Sequence, residues 1–148
     1  MTPHREGLAG LRVLVAEDEV LILMEIEEML RELGCEIVGP AATVEAAVGA
    51  VRGHHLDGAL LDLNLHGESV LPAAEELASR SVPFLLVTGY PSRAGDAQAL
   101  KDAPRLRKPF SLQSLTDAMT AAFVAGDRRL ADDRRRTGGK GGASPASV

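Results

Sequence analysis

Apolar residues gather in four short stretches: 11–16 (LRVLVA), 35–40 (CEIVGP), 57–63 (DGALLDL) and 83–88 (PFLLVT). Two of these are continuous apolar runs rather than alternations, the pattern of strands covered on both faces in a parallel sheet. Between the first two, Ile22, Leu23, Ile26, Met29, Leu30 and Leu33 recur at three- and four-residue spacing, while Glu25, Glu27, Glu28, Arg31 and Glu32 take the other side. That pattern predicts an amphipathic helix over 20–33, ended by Gly34. A second, alanine-rich helix is expected over 43–51, with Thr43 as its N-cap and Glu45 in its first turn, and a third from Glu68 or Ser69 to Ala78.

After Thr88, the segment 89–104 carries Gly, Pro and Ser breakers and few large apolar residues, so any helix around 92–101 should be short. A brief strand over 104–108 (PRLRK) follows. Ser111 then caps a last helix in which Leu112, Leu115, Met119, Ala122 and Phe123 form one face. Strands alternating with helices in this way predict an α/β domain with a parallel sheet and right-handed crossovers.

Open sheets of this kind gather ligands at the carboxyl ends of their strands. Glu17 and Asp18 follow the first strand, Asp62 ends the third, Thr88 ends the fourth and Lys108 follows the fifth, so all five converge on one edge. Acids, a hydroxyl and an ammonium there make an oxygen-rich crevice suited to Mg²⁺, which keeps waters and takes one or two carboxylates plus phosphate oxygens. A bound cation would also relieve the repulsion within Glu17-Asp18-Glu19. A carboxylate beside such a cation can act as a nucleophile toward phosphorus, and Asp62, aimed by its strand, is the candidate. Glu19 begins the first helix, where its charge favours the positive N-terminus, and is expected to face water.

Composition narrows the field. At 148 residues and 45% hydrophobic the chain is long enough for one core, and no apolar run approaches a membrane span or a secretory signal, so a cytoplasmic location is expected. The lone Cys35 has no internal disulfide partner and sits beside an apolar run, as a buried free thiol would. Residues 127–148 hold six Lys/Arg and three Asp, leaving ten Lys/Arg against eighteen Asp/Glu in residues 1–126. The acidic body argues against a nucleic-acid-binding domain and suits a cation. The expected organisation is an extension over 1–9, a domain over 10–125 and a disordered Arg/Gly/Ser-rich tail over 126–148. His4, His54, His55 and His66 show no metal-ligand pattern.

The acid pair Glu17-Asp18, Asp62, Thr88 in "VTGY" and Lys108 in "RKPF" together resemble the receiver domains of two-component response regulators, over about residues 10–125. The resemblance implies a flavodoxin-like, doubly wound five-stranded parallel sheet of order 2-1-3-4-5 with helices on both faces. It implies that Asp62 accepts a phosphoryl group from a sensor histidine kinase or phosphotransferase, in a Mg²⁺-dependent reaction. Asp18 would bind the metal directly, Glu17 through water or in place of the more usual Asp, and Asn64 through its main-chain carbonyl. Thr88 would hydrogen-bond the phosphoryl group, and Lys108, ahead of a commonly cis peptide at Pro109, would pair with Asp62 and then with the phosphate.

Two positions depart from the pattern. Receivers usually carry Tyr or Phe three residues before the lysine, and here that position is Arg105. "LVTGY" is partly similar to the subgroup nicknamed FAT GUY, with Leu86 and Val87 replacing its Phe and Ala, and Tyr90 is a candidate switch aromatic. Little chain follows residue 125, so a stand-alone receiver without a DNA-binding output domain is expected, signalling by altered protein contacts and catalysing only its own phosphorylation and dephosphorylation. Self-association as a homodimer stays open. The alternative is a degenerate receiver, a docking module independent of phosphorylation, because Glu17 stands where Asp is usual. An EF-hand fails because its twelfth position, counted from Asp62, is Ala73 rather than Glu. A haloacid-dehalogenase-type phosphatase fails because Asn64 cannot supply its second acid.

Overall fold

The computed structural model describes residues 7–89 and 97–125. Its main sheet comprises β1 (Arg12–Ala16), β2 (Glu36–Ala41), β3 (Gly58–Asp62), β6 (Phe84–Thr88) and β7 (Arg105–Arg107), all parallel, in the order β2-β1-β3-β6-β7. The numbers β4 (Asn64–Leu65) and β5 (Glu68–Ser69) belong to a small antiparallel hairpin just beyond β3. Without that hairpin the order is the expected 2-1-3-4-5.

Alternate residues of each strand feed two cores. Val13, Val15, Leu60, Leu85 and Val87 pack with Ile26, Leu30 and Leu33 of the α1 region (helix Val20–Glu32) and with Leu115, Met119 and Phe123 of α5 (Leu112–Met119) and its π-helical extension Thr120–Ala125. On the other face, Leu14, Ala16, Ala59, Leu61 and Leu86 meet α2 (Val44–Gly53), α3 (Leu71–Ser79) and Leu100 of the one-turn α4 (Gln98–Lys101). Burial on both faces explains why the inner strands read as unbroken apolar runs. Leu8 is fully buried in the first core and its carbonyl accepts from Cys35 Sγ at 3.4 Å, so the packed body begins before residue 10.

Helix starts follow their side chains. Thr43 Oγ1 accepts from Ala46 N at 3.1 Å, and Ser111 and Ser114 bond each other's backbone N–H in a reciprocal cap. The third helix corrects the sequence expectation: it begins at Leu71, not at Glu68 or Ser69. Those two residues instead pair with Leu65 and Asn64 around a tight turn at His66 (φ 49°) and Gly67 (φ 81°). Ser69 still does a cap's chemistry, its Oγ accepting from Leu71 N at 3.1 Å.

Candidate functional site

The strand order reverses at β1, since β2 lies on one side of it and β3 on the other. The crevice beyond the carboxyl ends of β1 and β3 is therefore where a ligand is expected. Glu17 and Asp18 leave β1 there and Asp62 is the last residue of β3; the three offer one carboxylate oxygen each within 4.8 Å of one another.

Lys108 crosses to them from the strand after next. Its backbone N–H donates to the Thr88 carbonyl at 3.0 Å, anchoring the residue at the end of β6, and the Lys108-Pro109 peptide is cis. Its Nζ lies 3.2 Å from Glu17 Oε1, 3.5 Å from Asp62 Oδ2 and 3.3 Å from Glu19 Oε1. The sequence expectation for Glu19 is corrected in part. Its side chain is 63% exposed, yet it is a third carboxylate on Lys108 rather than a purely solvated one.

Glu17 is the most confined of the group, at 1% exposure. Its Oε2 accepts from Glu19 N at 3.1 Å, while Oε1, although close to Nζ, accepts no hydrogen bond. Burial, and then the neighbouring charge of Asp62, push its carboxyl up to about 7. Burial also raises Asp62, against the opposing pull of Lys108. Burial alone would lower Lys108, but Asp62 and Glu17 outweigh it and hold the ammonium above its ordinary value.

Asp18 is oriented by the hairpin. The His66 N–H donates to its Oδ2 at 2.7 Å, and His66 Nδ1 lies 3.9 Å from the same oxygen. Sequence alone gives no sign of this contact, since His66 lies 48 residues from Asp18. Thr88 is buried at the end of β6, and Asn64 opens β4 two residues after Asp62. Arg105 fills the position of the usual aromatic differently: its Nη2 donates to the Leu100 carbonyl at 2.8 Å, tying β7 to the end of α4. Tyr90 and the 126–148 segment lie outside the described residues.

Residues 13–120 match the family described as the response regulator receiver domain. The chain belongs to that family. The receiver is 39% identical over 127 residues to the transcriptional regulatory protein PdtaR of Mycobacterium tuberculosis, covering 82% of this chain and 60% of that protein. The solution structure of SdrG from Sphingomonas melonis Fr1 shares 37% identity at a TM-score of 0.67, covering 77% of this chain and 96% of that one. The receiver domain of the sensor histidine kinase PA1611 from Pseudomonas aeruginosa, solved with a magnesium ion coordinated in its active-site cleft, shares 25% identity at a TM-score of 0.68, covering 78% and 99%.

This receiver's acidic residues fit a hard divalent ion. Three carboxylates converge around the one ammonium of Lys108, so a second cation would offset the remaining negative charge. Among the described residues no helix is long and apolar enough to cross a membrane.

Proposed function

We propose that Asp62 is the phosphoacceptor of this receiver, taking a phosphoryl group from the phosphohistidine of a sensor histidine kinase or phosphotransferase protein. An Asp62 oxygen forms the new P–O bond as the P–N bond of the donor breaks. The observation that carries the reading is the clamp at the end of β3, where Lys108 Nζ sits 3.5 Å from Asp62 Oδ2 with Glu17 and Asp18 alongside.

Mg²⁺, held by Asp18, Asp62, Glu17 and the Asn64 main-chain carbonyl, would neutralise charge on the transferring group. Lys108 would follow that charge, leaving the Asp62 carboxylate for a phosphoryl oxygen once the acid has reacted. Thr88, buried at the end of the neighbouring strand, would supply a hydroxyl to the phosphoryl group. The output would be altered affinity for protein partners on the surface of α4, β7 and α5. Arg105 bridges α4 and β7 on that surface, where similar receivers carry an aromatic.

Intact mass spectrometry after incubation with Mg²⁺ and a small phosphodonor tests the reading. One phosphoryl adduct is expected, absent from Asp62→Asn and after chelation. No adduct on the native protein, or an undiminished one on the variant, overturns it and leaves the degenerate docking module that Glu17 in place of Asp favours.

A further inference from the structure

Lys108 Nζ carries three N–H groups, and it donates to three different carboxylates: Asp62 Oδ2 at 3.5 Å, Glu17 Oε2 at 3.5 Å and Glu19 Oε1 at 3.3 Å. Two of these acceptors belong to the converging cluster of Glu17, Asp18 and Asp62, and Glu19 stands outside it. The Glu17 and Asp62 side chains are 1% and 13% exposed, against 63% for Glu19. The third partner of the ammonium therefore lies at the mouth of the crevice.

Glu19 reaches Lys108 from a fixed base. Its backbone N–H donates to Glu17 Oε2 at 3.1 Å, and its carbonyl accepts from Leu23 N at 2.9 Å to open α1. It occupies the N-cap position of that helix, where Ser, Thr, Asp or Asn would accept from the first turn, yet its side chain makes no such bond. The glutamate leaves α1 without a side-chain cap and spends its carboxylate on an ammonium 89 residues away.

We propose that Glu19 is a positioning residue for Lys108. It retains one N–H of the ammonium at the rim, so that a divalent ion entering between Glu17 and Asp62 can take their carboxylates without expelling Lys108 from the site. Without Glu19 the ammonium has only the acids that the ion needs, and the two cations compete for them. On the phosphoacceptor reading above, on which this consequence alone rests, Lys108 waits on Glu19 while the metal binds and turns inward as charge gathers on the phosphoryl oxygens.

The chain has three lysines, Lys101, Lys108 and Lys140, so the Lys108 ammonium can be followed by nitrogen NMR in the full, chelated protein. Glu19→Gln should speed the exchange of its protons with water about two- to fivefold, the range of an exposed ion pair. Glu25→Gln removes the same charge from an exposed position further along α1 and should leave that exchange unchanged. Unaltered exchange in Glu19→Gln, or equal acceleration in Glu25→Gln, overturns the proposal. Calorimetry with magnesium chloride reads the competition. Glu19→Gln should weaken Mg²⁺ binding about two- to fivefold when Lys108 is present and far less in Lys108→Met, because the effect runs through the ammonium. An equal loss in both backgrounds would make Glu19 a plain source of negative charge near the ion, and that result, or no Mg²⁺ binding by the native protein, also overturns the proposal. Neither measurement involves phosphorus, so the positioning of Lys108 and phosphoryl transfer can fail separately.

Discussion

Glu17 concentrates the electrostatic cost of the site. In an unfolded chain its carboxyl titrates near 4.5, and in the folded protein burial and the charge of Asp62 hold it up to about 7, so the fold keeps a proton that the unfolded chain releases. Its contribution to stability is fully present below about pH 4.5 and is lost as pH rises through about 7. For a group this buried the loss is on the order of 3 kcal/mol. Urea unfolding of the chelated protein should therefore show lower stability at pH 8 than at pH 5, and Glu17→Gln, which cannot ionise, should flatten most of that slope. Equal slopes in the two proteins would count against the account. Of the three acids after β1, the convergence of Glu17 and Asp18 on Asp62 was legible from their place at a strand end. The part of Glu19 was not, because the ammonium it meets lies 89 residues away in sequence and only the sheet brings them together.

The elements that could be read were those whose burial imposes a period: the inner strands, α1, and α5 with its serine cap. The β4–β5 hairpin could not be read, since two-residue strands carry no period and Glu68-Ser69 look like the start of a helix. Yet that hairpin presents the His66 N–H to Asp18. A second irregular feature also serves the site. The pairing of β1 with β2 slips between Leu14 and Ala16, whose partners are Val38 and Ala41, and the extra residue lets the Ala41 carbonyl accept from Glu17 N at 3.0 Å. Gly39 makes the slip possible: its φ is 98°, and a Cβ there would sit 3.0 Å from Ala41 N and 3.3 Å from the Val15 carbonyl oxygen. Gly39→Ala should cost about 1–3 kcal/mol in urea unfolding and weaken Mg²⁺ binding as Glu17 loses its anchor. Native stability in that variant would show that the strand end can take another route.

Folding itself assembles the acidic cluster proposed to hold Mg²⁺, and this gives a test that does not depend on phosphoryl transfer. Asp18 and Asp62 come from different strands, and Lys108 joins Asp62 from 46 residues further on, so the unfolded chain has no comparable cluster. A cation bound only by the native state stabilises it by mass action, about 2.7 kcal/mol at a hundred times its dissociation constant. For a domain of this size that corresponds to a rise in melting temperature of roughly 5–10 °C. The acidic body, with eighteen Asp/Glu against ten Lys/Arg in residues 1–126, will also respond to ionic strength. The comparison must therefore be made against sodium chloride at equal ionic strength, and against Asp18→Asn. In the native protein Mg²⁺ should raise the melting temperature in a saturable way that sodium does not reproduce. Asp18→Asn should lose most of the rise, because it removes a carboxylate that the His66 N–H already orients, while the fold and Lys108 stay in place. A rise that persists undiminished in Asp18→Asn would mean that the ion acts on the general acidity of the surface and not at the crevice.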